Sequence, residues 1–150
     1  MIASGLPLRC VALTADAQFD THSGQAGSLG PDLSLIADAL AAFQADLEAR
    51  GVADRVLVHV WSEFGRRVQE NGSHGTDHGA GGMSMLMGSR VKGTMIGEWP
   101  GLGRLDPDGN LIANTDFRAL YCSLLEQWFS TDAAAVIPDA ARFARYSLLR

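Results

Sequence analysis

RVLVHVW, residues 55–61, is short, apolar and rich in β-branched side chains, which is the composition of a buried strand. Upstream of it, Leu33, Ile36, Leu40, Phe43 and Leu47 recur at spacings of three and four and predict one apolar face of a helix over 32–50. Gly51 is the expected left-handed residue closing that helix, with Arg50 at its negative end. Further back, LRCVALT (8–14) has the length of another strand covered on both faces. Strand, helix and strand within about fifty residues form a βαβ crossover, and a crossover demands parallel strands. The fold class that follows is α/β, a mainly parallel sheet with flanking helices.

Downstream, MSMLMG (83–88) reads as a third strand, and the DPDG turn inside 103–112 as a hairpin in a surface flap. Thr115 is the expected N-cap of a second helix over 116–129, carried by Phe117, Leu120, Leu124 and Trp128. The tail PDAARFARYSLL forms a short third helix in this reading. The stretch DAQFDTHSGQAGSLGPD (16–32), leading into the first helix, is expected to be a loop. No repeat, low-complexity tract or linker divides the chain, so residues 1–150 read as a single domain.

Composition removes several classes. With 12 Lys+Arg against 17 Asp+Glu, a net charge of −5 and scattered arginines, the chain has no basic stripe for nucleic acid. At 47% hydrophobic and 19% charged it is neither disordered nor coiled coil. No apolar run approaches the ~20 residues of a membrane span. The opening MIASGLPLRCVAL lacks the regions of a secretory signal, so no compartment can be read from it. Cys10 and Cys122 lie in apolar runs and are expected to be core thiols, not a disulfide.

The polar chemistry gathers in two loops expected at the carboxyl ends of strands, where parallel sheets present ligand sites. Asp20 and His22 stand in the first loop; Glu63, His74, Asp77 and His78 stand in the second. Imidazoles mixed with carboxylates suit a divalent metal such as Zn²⁺, Mn²⁺ or Fe. His59 alternates with valines and reads as a packed, hydrogen-bonded core histidine, and His74 as solvated. The glycines at 72–82 match neither a P-loop nor GxGxxG, and WSEFG around Ser62 is not a nucleophile elbow.

The succession FDTHSGQ (19–25), ADRVLV (53–58), SEFGRRVQENGSHGTDHGAGG (62–82), VKGTMIGEWPGL (91–102) and TDFRALYCSLLEQWF (115–129) resembles the C-terminal half of the bacterial DUF1501 family, over about residues 8–130. The resemblance implies the C-terminal portion of an alkaline-phosphatase-like (sulfatase-like) fold and a metal-dependent hydrolase of phosphate or sulfate esters. It implies Zn or Mn as cofactor and Asp20, His22, Glu63 and His78 as ligands. Arg66 would contact a small anionic ester, and Asp77 would orient His78 or bind directly. In many such proteins the strand-end acid is Asp followed by His, whereas Glu63 is followed by Phe64. The nucleophile of that superfamily comes from an N-terminal half. The enzyme is therefore expected to be incomplete in this chain, which would act as a homo-oligomer or with that half. Longer members are often exported to the periplasm. The alternative is a non-catalytic binding or assembly module that retains the fold.

Overall fold

The computed structural model describes residues 2–150. Helix α1 spans Gln25–Ala49, strand β1 Val58–Val60, β2 Gly65–Glu70, β3 Thr76–Gly79 and β4 Met85–Met87, and helix α2 Phe117–Gln127. Single 3₁₀ turns lie at Ala53–Arg55, Ala133–Ala135 and Ala140–Arg142.

The parallel sheet expected from the crossover is not formed. β1 pairs antiparallel with β4, placing Val58, His59 and Val60 opposite Met87, Leu86 and Met85. β2 pairs antiparallel with β3, and these two pairs are the sheets among the described residues. The alkaline-phosphatase-like α/β architecture is thereby overturned for this chain. Its cause lies at residues 8–14: LRCVALT is exposed and belongs to no strand, with Leu13 89% exposed. A β-prone segment becomes a strand only when a neighbour accepts its backbone bonds, and in this fold β4 is the neighbour of β1. Cys10 lies in that segment and is exposed, contrary to its expected place in a core; Cys122 is fully buried.

Helix α1 begins seven residues before the expected start and runs through Pro31. Its first turn is anchored from outside. Gly24 and Gln25 donate their backbone N–H groups to the carbonyls of Ser73 and His74, at 3.0 and 2.9 Å. The Gln25 amide donates to the hydroxyls of Thr21 and Thr76, at 2.7 and 3.0 Å. Satisfying these otherwise orphaned N-terminal groups offsets the hydrogen bond that Pro31 removes. At the other end Gly51 takes φ 64 and bonds back to Glu48, as its sequence position requires. Of the apolar face only Leu47 is buried; Leu33 and Phe43 are exposed.

The core gathers around α2, where Cys122, Ala133 and Ala140 pack with Leu125, Ile137 and Phe143. Asp116, not Thr115, caps α2: its carboxylate accepts from Arg118 N. Ser123 is buried and satisfied, donating to Ala119 O at 2.7 Å and accepting from Tyr146 N at 2.8 Å. The DPDG segment closes through a Leu105–Leu111 bridge, with Asp106 accepting from Asn110. His59 packs edge-on against Tyr121, but its buried Nε2 has no hydrogen-bond partner, which corrects the expectation of a satisfied core histidine. Burial lowers its pKa.

The accessible surface is 10373 Å². A folded monomer of 16.0 kDa exposes roughly 7,400 Å². The excess includes Leu6, Leu13, Trp61, Met95, Trp99 and Phe117. No helix among the described residues is long and apolar enough to cross a membrane.

Candidate metal centre

The second polar loop expected from the sequence is the β2–β3 hairpin. Asn71 builds its turn: the backbone N–H donates to Gly75 O at 2.8 Å, while the side-chain oxygen accepts from Ser73 N and Gly75 N. His74 occupies the left-handed region within that turn and pairs with Glu70 at 3.1 Å, well exposed. The hairpin docks on residues 19–25, with Thr76 N donating to Thr21 O. Contact at Gly75 is so close that a Cβ there would stand 2.3 Å from the His22 carbonyl carbon.

This docking brings together Asp20, His22 and His78, the one group of three or more His, Cys, Asp or Glu side chains among the described residues whose ligand atoms converge. Asp20 Oδ1 lies 2.8 Å from His78 Nε2 and 3.2 Å from His22 Nε2, and the two Nε2 atoms are 3.2 Å apart. Ligand atoms at adjacent corners around an ion bound at ~2.0–2.2 Å stand about 3 Å from one another, so the triangle matches the donor spacing of a divalent metal. A carboxylate with two imidazoles is also a donor set that Zn²⁺, Mn²⁺ and Fe²⁺ accept. All three side chains are about half exposed, 55% for Asp20 and 46% and 45% for His22 and His78.

Each member has a separate support. His22 Nδ1 faces Asp77 Oδ1 at 3.2 Å, and Asn71 donates to that same carboxylate oxygen at 3.1 Å. Asp77 therefore stands behind His22, not His78. Arg66, opposite His78 in the ladder, donates to Thr76 O and Phe19 O at 2.6 Å each and to Asp20 Oδ1 at 3.2 Å. Its donors face the protein's own carbonyls and Asp20. Phe64, two residues before Arg66 and on the same face by alternation, stacks on His78 with centroids 3.6 Å apart and lies 4.9 Å beneath the Arg66 guanidinium. Glu63 is exposed between β1 and β2 and supplies no atom to the converging group.

The electrostatics follow the contacts. The hydrogen bond from His78 holds Asp20 below the usual carboxylate range, helped by His22 and Arg66. Asp77 is lowered as well, chiefly by Asn71 and then by His22. From the sequence, Phe64 and Gly75 are given no part in the site and Asn71 is passed over. The Asn71-Gly72 pair after RRVQE was a hairpin signal that could have found them.

A small mixed fold carrying an exposed Asp-His-His cluster where a hairpin docks on the segment before α1 is the class that these observations define. The chain belongs to the DUF1501 family, whose description is protein of unknown function and whose sequence model matches residues 2–127. No curated protein and no solved structure matches it.

Proposed function

We propose that the chain provides a divalent-metal site, with Asp20, His22 and His78 as ligands, for the hydrolysis of a phosphate or sulfate ester. The observation that carries this reading is the triangle of three ligand atoms with sides of 2.8, 3.2 and 3.2 Å. A bound Zn²⁺ or Mn²⁺ supplies Lewis-acid polarisation and lowers the pKa of a coordinated water. The chain's own residues do the rest. Asp20 contributes the anionic donor, the imidazoles contribute neutral ones, and Arg66 holds Asp20 against the hairpin. The hydroxyl oxygens of Thr21 and Thr76 accept from Gln25, and the attacking nucleophile in this reading is water or a group from further polypeptide.

The half-exposed site and the excess surface support a second element of the proposal, that further polypeptide completes the centre. Low-dielectric enclosure strengthens catalytic electrostatics, and these three side chains lack it. The test is turnover of aryl phosphate and aryl sulfate by the purified chain with Zn²⁺ or Mn²⁺. The expected result is metal binding with little turnover, rising when the remainder of a longer family protein is supplied in trans. Metal binding with no turnover in either case supports the non-catalytic module instead.

A further inference from the structure

The two imidazoles of the cluster share Asp20 Oδ1 at unequal distances, 2.8 Å for His78 and 3.2 Å for His22, and His22 alone also faces Asp77. His22 Nδ1 faces the Asp77 carboxylate at 3.2 Å, and a carboxylate at neutral pH only accepts. A neutral imidazole carries one N–H, so donation to Asp77 puts it on Nδ1 and leaves a lone pair on Nε2. His78 Nε2 lies 2.8 Å from Asp20 Oδ1 and therefore donates there. The same His78 N–H faces the His22 lone pair at 3.2 Å. His22 Nε2 also lies 3.2 Å from Asp20 Oδ1, so the His78 N–H is shared between that oxygen and the His22 lone pair; the opposite assignment for His22 would set two N–H groups against each other across 3.2 Å and turn a lone pair toward Asp77.

Resting on the metal reading above, we infer that Asp77 is a positioning residue that fixes His22 as the Nδ1–H tautomer, so that His22 presents an Nε2 lone pair to an arriving ion while His78 must first exchange its proton from Nε2 to Nδ1. In that exchange solvent first gives a proton to Nδ1 and then takes the one on Nε2, so the ring passes through the imidazolium and is neutral before and after. Asn71 belongs to the same device. It donates to Asp77 Oδ1 at 3.1 Å and to His22 O at 3.0 Å while its own oxygen holds the hairpin turn. Partners of metal-bound histidines that set the tautomer in this way raise metal affinity by about 10–100-fold.

The test is long-range ¹H–¹⁵N correlation of the histidine rings in the full chain, metal-free and then with Zn²⁺, at a pH above the ordinary histidine value. A His22→Gln spectrum assigns the signals. The expected metal-free pattern is Nδ1–H for His22 and Nε2–H for His78, and Zn²⁺ moves His78 to Nδ1–H without altering His22. In Asp77→Ala the His22 proton shifts toward Nε2 and Zn²⁺ affinity falls by about 10–100-fold, while Asp77→Asn, which keeps an acceptor oxygen, preserves the Nδ1–H form. A wild-type His22 protonated on Nε2 overturns the inference without any variant, as does an Asp77→Ala chain with unchanged tautomer and affinity. Wild-type rings with the expected tautomers but no Zn²⁺ binding overturn the metal reading alone.

Discussion

His22 and His78 face each other through their Nε2 atoms at 3.2 Å although 56 residues separate them in the chain. Neither lies on a packed core element, so the contact depends on how closely the β2–β3 hairpin sits on the segment around residue 21. That closeness rests on one glycine.

Gly75→Ala is expected to undo the site. The added methyl would stand 2.3 Å from His22 C and 2.5 Å from the carbonyl oxygens of both His22 and Thr21, all backbone atoms that cannot turn aside. Overpacking of this kind costs about 1–3 kcal/mol, and the hairpin would have to lift away from His22. Gly72→Ala is the control, since a Cβ there meets nothing within 4 Å. Urea unfolding and Zn²⁺ titration of both variants check this: the first should lose stability and binding, and the second should stay within about 0.5 kcal/mol of the parent.

Acid should loosen the cluster late. Asp20 is lowered mainly by its hydrogen bond from His78, and Asp77 mainly by that from Asn71. A carboxylate depressed in the fold contributes stability that is present above its ordinary value, about 3.9, and is lost as pH falls through the lower folded value. Side-chain ¹³C titration should therefore place both midpoints below the ordinary carboxylate value. Midpoints at or above it would mean that these hydrogen bonds are not made in solution.

The two thiols should differ in reactivity. Cys10 is exposed, and Cys122 is wholly enclosed with Ala133 and Ala140. An aromatic disulfide reagent should titrate one thiol rapidly in native protein and the second only in denaturant. Rapid reaction of both would contradict the packing around α2.

The exposed apolar surface should drive association. The excess over a folded monomer's expected surface is roughly 3,000 Å² on one chain, more than the ~1,000 Å² that each partner needs to bury in a large permanent interface. Light scattering at micromolar concentration should detect species larger than a monomer, and a clean monomer across that range would refute the expectation.

Much of the local structure was legible because it is written in short-range chemistry. Gly51 closes α1, Asp116 starts α2 one residue after the predicted cap, and β1 and β4 fall inside the two apolar runs read as strands. Strand partnership was not legible. LRCVALT has strand composition, but composition does not name the neighbour that must accept its backbone bonds, and β1 pairs with β4. The early start of α1 escaped for the same reason. The groups that satisfy Gly24 and Gln25 belong to a turn about fifty residues away, while the local sequence shows only Gly30-Pro31, a breaker. Asp20, His22, Glu63 and His78 are expected to meet at a parallel sheet edge; Asp20, His22 and His78 converge instead through an antiparallel hairpin, without Glu63. The resemblance implies that Asp77 orients His78 or binds directly; its hydrogen bond runs to His22.

The central claim, that Asp20, His22 and His78 form a divalent-metal site, is tested most directly by equilibrium binding of Zn²⁺ and Mn²⁺ to the full chain purified without chelator, with metal content measured in parallel. The account predicts one equivalent of metal, lost in His22→Ala and in His78→Ala and retained in Glu63→Ala. The absence of stoichiometric binding in the parent chain, or binding that survives both histidine substitutions, would contradict it.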